Sequence, residues 1–204
     1  MFHVKHEGWG AVTEALSLDL DPEQVAQLEA FEELIRERAI PLGMVATADE
    51  SRIRERHVQD SLRAATAVTD ADHTAYDLGS GAGLPGVVVA IACPKLRMTL
   101  VESRRPRAAF LQLVVDQLRL ANTSVATVRV ETLTEPVDMC FSRAFARVGV
   151  AWRAADRLLN PGGRLVYFAG ERFDQAELPD DASSRLVRTS ALARSGPLVI
   201  MSRQ

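Results

Sequence analysis

Apolar side chains in the first part of the chain recur every three or four residues, the spacing that places them on one face of a helix. Before them, Asp21, Pro22 and Glu23 offer an N-cap, a proline for the first helical position and a carboxylate that suits the helix dipole. The pattern predicts a helix from residue 21 that stops at the proline and glycine of residues 41–43. Its periodic positions are Val25, Leu28, Phe31, Leu34 and Ile35.

A second helix is predicted from residue 49 or 51, with Ile53, His57 or Val58, and Leu62 along one stripe. On such a face His57 is more simply a packed histidine bonded to a polar neighbour than a catalytic group. Three arginines lie largely off the stripe and form either a solvated helix face or a contact for phosphates. They are Arg52, Arg54 and Arg56.

After residue 74, short apolar runs alternate with stretches at helical spacing. This order predicts an α/β fold, a mostly parallel sheet with right-handed crossovers. Two last apolar runs, residues 184–192 and 198–202, predict a terminal hairpin that adds antiparallel edge strands. We divide the chain into an N-terminal helical extension, residues 1–70, and a sheet domain, residues 71–204. The other predicted strands are residues 76–78, 96–101, 125–130, 137–141 and 165–168, and the helices among them are residues 84–92, 108–120 and 148–159.

Charge is distributed unevenly along the 204 residues. The net charge of the whole chain is −3, which argues against strong nonspecific binding of nucleic acid. Residues 1–50 hold three basic and eleven acidic side chains, a net of −8, and residues 51–204 hold 21 basic and 16 acidic ones, a net of +5. An RNA substrate is therefore permitted, provided that the arginines cluster around a cleft.

The overall composition, with 47% hydrophobic and 25% charged residues, is typical of one globular domain or of a domain with an extension. The two cysteines, Cys93 and Cys140, provide neither a disulfide framework nor a zinc site, and we expect no metal. No apolar run suits a secretory signal or a membrane span of roughly 20 residues. We expect a cytoplasmic monomer without a membrane partner.

The stretch most informative about function is residues 77–86, which read DLGSGAGLPG. It lies between a predicted strand and a predicted helix, where an open parallel sheet binds its ligand. Gly79, Gly81 and Gly83 lack Cβ atoms, so the backbone can turn sharply and approach a ligand closely. A dinucleotide site competes for this loop, because its glycines also fit G-x-G-x-x-G and Glu102 fits the ribose-binding acid of that motif.

The register of the loop disfavours the dinucleotide site, because an acid and a further glycine precede the first glycine of that motif. An acid two residues before G-x-G-x-G instead resembles the loop of class I S-adenosylmethionine-dependent methyltransferases. The resemblance implies that Asp77 serves the amino group of the methionine portion and that Glu102 accepts both ribose hydroxyls. A carboxylate is tolerated beside this loop because the cofactor carries a sulfonium cation and no pyrophosphate.

A wider set of motifs between about residues 20 and 170 is similar to the glucose-inhibited division protein B family. These bacterial methyltransferases modify nitrogen-7 of a guanine in small-subunit (16S) ribosomal RNA. The resemblance implies a Rossmann-like class I methyltransferase domain, S-adenosyl-L-methionine as cofactor, and small-subunit ribosomal RNA or the ribosomal subunit as partner. The motifs are RHVQDS at 56–61, DLGSGAGLPG at 77–86, Glu102-Ser103 with Arg107 and Phe110-Leu111, RVE at 129–131, SRA at 142–144 and PGG at 161–163.

The same resemblance implies which residues bind the cofactor. The matching positions lie in the glycine loop and after the second, third and fourth predicted strands. One position departs from the family, because Ala169-Gly170 stands where a Lys-Gly pair is usual, with Arg172 close enough to substitute. The implied cofactor-binding residues are Gly79, Gly81, Gly83, Leu84, Glu102, Val130, Glu131 and Arg143.

The implied chemistry needs no general base, since nitrogen-7 of guanine has an in-plane lone pair and no proton. Catalysis then rests on positioning, and we assign no catalytic residue. Arg104, Arg105 and Arg107 open the helix after Glu102, where positive charge is unfavourable to the helix dipole, so a purely structural role is disfavoured. The alternatives are a methyltransferase of the same fold acting on a small molecule or protein, a cofactor-binding module without turnover, and a nicotinamide oxidoreductase.

Overall fold

A seven-stranded sheet forms the centre of the protein. The structure is a computed structural model, and it describes residues 8–189 and 195–203. The strands are β1 (Thr74–Leu78), β2 (Arg97–Val101), β3 (Thr123–Ala126), β4 (Val137–Arg143), β5 (Leu159–Phe168), β6 (Ala182–Val187) and β7 (Leu198–Arg203). Their order across the sheet is β3-β2-β1-β4-β5-β7-β6.

The direction of the strands confirms the predicted fold class. β1 to β5 pair in parallel, and β7 pairs antiparallel with both β5 and β6. The terminal hairpin therefore adds an antiparallel edge, as the last two apolar runs predict. The first of those runs extends to Leu192, which lies outside the described residues.

Helices cover both faces of the sheet. On one face, Ala75, Met98 and Phe141 join a core shared with the N-terminal helices and with two of the crossover helices. On the other face, Tyr76 and Cys140 pack with the third crossover helix. Alternate strand residues thus belong to different cores, which is why the predicted strands are apolar almost throughout. The helices are α1 (Gly10–Leu16), α2 (Pro22–Leu34), α3 (Asp60–Leu62), α4 (Gly86–Ala92), α5 (Arg105–Gln117) and α6 (Val148–Asp156).

The first predicted helix is confirmed as α2, which continues as a π-helical turn, Ile35–Ala39. Its start is a capping box: the Asp21 carboxylate accepts from the Gln24 N–H at 2.8 Å, and the Gln24 side chain accepts from the Asp21 N–H at 2.9 Å. The extension packs directly on the sheet domain, since the Gln24 amide donates to the Ile91 carbonyl at 2.7 Å. The division at residue 70 stays a prediction.

The second predicted helix is helical but irregular. It consists of a 3-10 segment (Thr47–Arg52), a π segment (Arg54–Gln59), α3, and a 3-10 segment (Arg63–Ala67). The Ser61 hydroxyl donates to the His57 carbonyl at 2.6 Å, a side-chain bond of the kind that competes with regular helix pairing. The stripe itself is as predicted, because Ile53, Val58 and Leu62 are fully buried.

Several predicted boundaries are wrong by a few residues. β3 ends at Ala126, short of the predicted residue 130. Val130 belongs to a 3-10 turn instead, because its carbonyl oxygen accepts from the Leu133 N–H at 3.1 Å. α6 ends at Asp156, and β5 begins already at Leu159. No helix within residues 8–189 and 195–203 has the length and apolar character needed to cross a membrane.

Candidate functional site

The loops that follow the parallel strands converge at one edge of the sheet. β1 lies between β2 and β4, so the strand order reverses beside it. Ligands of open α/β sheets bind at such a switch point, outside the carboxyl ends of the strands. Residues 79–85 follow β1, and Glu102 follows β2 directly. The structure thus brings the glycine loop and the predicted ribose acid to one place.

The three loop glycines all have positive φ: +70° at Gly79, +57° at Gly81 and +88° at Gly83. A Cβ atom on Gly79 would lie 2.5 Å from Cδ2 of Phe145, and one on Gly83 would lie 2.7 Å from Cγ2 of Val87. On Gly81, its closest neighbour among the described residues would be a backbone oxygen at 3.8 Å. Protein therefore crowds the space beside two of these glycines, whereas beside Gly81 a further atom fits at ordinary contact distances. We call this side of Gly81 the open position.

Asp77 holds the two ends of the loop together. Its carboxylate accepts from the Gly86 N–H at 3.1 Å and from the Ser80 hydroxyl. The residue is 1% exposed, and burial raises the pKa of its carboxyl group to about 6 against these hydrogen bonds. Its other oxygen, Oδ1, is buried and has no hydrogen-bond partner among the described residues. Asp77 thus fixes the loop and keeps one acceptor unused.

Glu102 links the glycine loop to the start of α5. Its Oε2 accepts from the Gly81 N–H at 3.2 Å, and its Oε1 accepts from the Arg104 N–H at 2.8 Å. The residue is 6% exposed. Each carboxylate oxygen can accept more than one hydrogen bond, so both retain capacity for a ligand. The carboxylate is held in place beside the open position at Gly81.

The other predicted pocket residues differ in exposure. Leu84 and Val130 are buried, whereas the Glu131 side chain is 72% exposed and lies 3.7 Å from Arg129. Arg157 donates to the carbonyl oxygens of Val130 and, at 2.6 Å, of residue 133, which fixes this turn to the end of α6. The roles of Leu84, Val130 and Glu131 in binding a cofactor stay predictions.

The Arg143 guanidinium at the end of β4 is bound to the N-terminal extension. It donates to the carbonyls of Arg56 at 2.9 Å and His57 at 3.2 Å, and to the Ser61 hydroxyl at 2.9 Å. Its Nη2 also lies 3.2 Å from Oδ2 of Asp60. Burial lowers the pKa of Arg143, and the carboxylate of Asp60 opposes the shift. Arg143 therefore joins the extension to this edge of the sheet, and its place in a cofactor pocket stays a prediction.

Sequence reasoning missed the rest of this junction. Arg63, 3% exposed, lies 2.6 Å from Asp60 and donates to the Gly196 carbonyl at 2.8 Å. The guanidinium carbons of Arg63 and Arg143 lie 5.5 and 5.3 Å from the centre of the Phe168 ring. The signal available in the sequence was the aromatic residue at the end of β5, but its cationic partners are about 25 and 105 residues away in the chain.

The arginine row of the extension is paired with carboxylates. Arg52 and Arg56 lie 3.9 and 3.1 Å from Asp49, and Arg54 lies 2.9 Å from Glu32. The same Asp49 contacts Nε2 of His57 at 3.2 Å. Burial, reinforced by the charge of Arg143, lowers the pKa of His57. His57 is thus a packed histidine bonded to a polar neighbour, as expected.

Ala169, the departure from the family pattern, is buried, and its N–H donates to the Pro197 carbonyl at 3.1 Å. A packed small residue therefore occupies this position, while Arg172 is exposed in the following turn. Among the residues that the structure describes, no group of three or more His, Cys, Asp or Glu side chains is arranged to hold a metal ion.

Comparison with solved structures agrees with the observed topology. Mitomycin 7-O-methyltransferase MmcR superposes with a TM-score of 0.55 at 17% identity, covering 90% of this chain and 69% of the other. TrmN from Thermus thermophilus superposes with a TM-score of 0.51 at 17% identity, covering 72% of this chain and 48% of the other. These likenesses concern the fold and confirm the predicted class I methyltransferase architecture.

Comparison with known sequences identifies the family. A relative from Acidiphilium cryptum, named ribosomal RNA small subunit methyltransferase G, is 42% identical over 154 residues, which are 74% of this chain and 70% of the relative. A relative of the same name from Polaromonas naphthalenivorans is 35% identical over 166 residues, 78% of this chain and 75% of the relative. The family model described as GidB, rRNA small subunit methyltransferase G, matches residues 24–191. With its sheet, its glycine loop and this match over most of its length, the chain belongs to the GidB family of rRNA small subunit methyltransferases.

Proposed function

We propose that this chain transfers a methyl group from S-adenosyl-L-methionine to nitrogen-7 of a guanine in bacterial small-subunit (16S) ribosomal RNA. Family membership confirms the predicted reaction class and cofactor: the chain is an S-adenosylmethionine-dependent rRNA methyltransferase. In the structure, the observation that supports the donor site best is the Glu102 carboxylate, held beside the open position at Gly81 by a backbone hydrogen bond.

Three features of the described residues fit the methyl donor. A further atom fits beside Gly81, the Glu102 carboxylate is held next to this position, and Oδ1 of Asp77 is buried with an unused acceptor. Adjacent carboxylate oxygens suit a pair of ribose hydroxyls, so Glu102 would hold the ribose. The residues proposed to bind the donor are Gly79, Gly81, Gly83, Leu84, Glu102, Val130, Glu131 and Arg143.

The proposed reaction requires this chain chiefly to position its two reactants. When bound, S-adenosylmethionine supplies a methyl group on a cationic sulfur, which the transfer leaves as a neutral thioether. Nitrogen-7 attacks through its lone pair and carries no proton, so no side chain has to remove one. Alignment of two reactants can supply roughly 7 to 11 kcal/mol of a barrier. The loop held by Asp77 and Glu102 is a preformed frame for such alignment.

The partner and the place of the reaction follow from this proposal. The ribosomal RNA substrate places the enzyme in the bacterial cytoplasm, where ribosomal subunits are assembled. We also infer a monomer, because the large hydrophobic side chains exposed within the described residues are scattered singly: Leu42, Val128 and Val150. Single exposed apolar residues are normal on monomers, whereas oligomers bury contiguous patches.

The direct test uses S-adenosylmethionine with a tritiated methyl group. The chain is incubated with ribosomal small subunits from cells that lack the modification, with the stripped 16S RNA, and with fully modified subunits as control. We expect label in 16S RNA from the unmodified substrates only. Borohydride and aniline treatment should then cut the RNA at one guanine, since N7 methylation makes the glycosidic bond labile to this treatment.

Two results would contradict the proposed function. Label in protein or in a small molecule, with none in RNA, would favour a methyltransferase of the same fold with another substrate. Donor binding measured by calorimetry, without turnover on any ribosomal substrate, would favour a cofactor-binding module.

A further inference from the structure

The start of α5 carries a concentrated positive charge that the proposed donor site does not use. Arg104, Arg105 and Arg107, here called the arginine triplet, lie within four residues that contain no acid. Arg104 and Arg105 are exposed and Arg107 is partly exposed. Across residues 8–189 and 195–203, their guanidinium groups take part in none of the ion pairs or side-chain hydrogen bonds.

The arginine triplet does not serve the stability of the helix that it begins. The first turn of α5 has no acidic residue, and Arg104 at the N-cap provides no side-chain cap. Positive side chains at a helix N-terminus oppose the helix dipole. Because the fold gains nothing from these charges, an external anion is the natural counterpart.

The arginines of the extension, by contrast, lie beside carboxylates of the same extension. Arg52 and Arg56 share Asp49, and Arg36 lies 3.1 Å from Glu33. The acidic residues of the first 50 positions therefore balance the arginines of the extension. The arginine triplet instead concentrates three positive charges, unpaired within the described residues, at one point after β2, whereas the extension contacts the end of β4.

The arginine triplet also borders the proposed donor site. Nη1 of Arg107 lies 3.9 Å from the Cβ position of Gly81, and the Arg104 N–H donates to Glu102. A carboxylate of the donor could engage one guanidinium, but it leaves the two exposed arginines without a partner. Successive phosphates of an RNA strand can engage all three.

We propose that the arginine triplet binds the sugar-phosphate backbone of ribosomal RNA next to the target guanine. The inference rests on the proposed function, and it sets the side from which the RNA approaches. The strand passes over the start of α5, beside the opening at Gly81, and not over the paired arginines of the extension. The triplet positions the substrate and takes no part in the bond changes of the methyl transfer.

The test compares two variants that each remove three positive charges. One is Arg104→Gln/Arg105→Gln/Arg107→Gln, and the matched control is Arg36→Gln/Arg52→Gln/Arg56→Gln, in which each arginine lies within 4 Å of a carboxylate. A third variant replaces the triplet by lysine and keeps the charge. For each, binding to unmodified small subunits is measured by co-sedimentation across salt concentrations, and donor affinity is measured by calorimetry without RNA.

We expect Arg104→Gln/Arg105→Gln/Arg107→Gln to bind subunits about 10-fold or more weakly near 0.1 M salt, and to reduce the magnitude of the slope of log K against log salt by about 2 to 3. Arg104→Lys/Arg105→Lys/Arg107→Lys should keep the slope, the control should match the wild type, and donor affinity should change much less than subunit affinity in every variant. An unchanged slope in the triple glutamine variant would overturn the proposal, and so would an equal loss of donor affinity. Binding by the wild type without methylation would contradict the proposed function alone, because these slopes do not depend on turnover.

Discussion

The three glycines of the donor loop are expected to respond differently to alanine, because only Gly81 has room for a Cβ atom. Gly81→Ala adds a methyl group where the methyl donor is proposed to approach. The change should lower the free energy of unfolding through backbone strain alone, since φ is +57° and the nearest described atom to the new Cβ is 3.8 Å away. A left-handed backbone conformation destabilises a non-glycine residue by roughly 1 to 2 kcal/mol. Alanine also lowers the conformational entropy of the unfolded chain, which offsets roughly 0.4 to 1 kcal/mol of that strain.

A matched control isolates that strain. Gly43 has φ of +66°, and a Cβ there would meet none of the described atoms within 4 Å. Both Gly43→Ala and Gly81→Ala should therefore lower the free energy of unfolding by about 1 kcal/mol, or the melting temperature by roughly 2 to 4 °C. Gly79→Ala should cost about 1 to 3 kcal/mol more, because its Cβ would lie 2.5 Å from the ring of Phe145.

Donor affinity then separates the variants. We expect Gly81→Ala to raise the dissociation constant for S-adenosylmethionine by about 10-fold, equivalent to about 1.4 kcal/mol, while Gly43→Ala leaves it unchanged. Isothermal titration calorimetry gives the affinity, and urea unfolding gives the stability. Wild-type affinity in Gly81→Ala would refute the assignment of the open space, and equal losses in Gly43→Ala would show that binding only follows stability.

Three further residues give distinct predictions. Burial raises the pKa of Asp77 from 3.8 to about 6. As pH rises, this carboxyl group therefore loses its proton in the unfolded chain before it does so in the folded one. Between about pH 4 and pH 6 the free energy of unfolding should fall by roughly 3 kcal/mol. Asp77→Asn should flatten this part of the pH profile in denaturant titrations, and an unchanged profile would contradict the raised pKa. Glu102→Gln leaves one acceptor oxygen for two backbone N–H groups and should weaken donor binding roughly 10-fold in equilibrium dialysis. Glu131→Gln should weaken it less, and equal effects would show that the ribose partner is misassigned. Arg143→Ala removes three hydrogen bonds of about 1.5 kcal/mol each, and should speed amide exchange at residues 54–62 by about 1,000-fold while β4 stays protected. Unchanged exchange would mean that the extension is held by other contacts.

The fold was predictable where a local pattern and burial agree. The parallel strands are buried on both faces, so they read as apolar runs whatever their neighbours are. The Asp21 capping box is local, and the structure has it as the sequence indicates. α1 went unpredicted because Trp9 at its N-cap makes no side-chain cap and Val12 is its sole buried residue among Gly10–Leu16.

The location of the candidate site was predictable from the sequence, whereas many of its contacts were not. Motif spacing located the glycine loop and Glu102, and the structure joins them by one hydrogen bond. The spacing did not reveal that Phe145 fills the space beside Gly79, nor that Arg143 binds residues more than 80 positions earlier in the chain. Such contacts depend on how distant elements pack against each other, and this packing leaves no periodic pattern in a single sequence.

The position of β7 has a consequence for how the chain folds during synthesis. β7 is the last of the described strands, yet it lies inside the sheet between β5 and β6. Just before it, the Gly196 carbonyl accepts from Arg63, a contact that spans 133 positions of the chain. Until residue 196 and β7 have left the ribosome tunnel, β5 keeps an open edge and Arg63 lacks this acceptor. The sheet of an enzyme whose substrate is ribosomal RNA is therefore completed only after residue 203 has been synthesised and has left the ribosome.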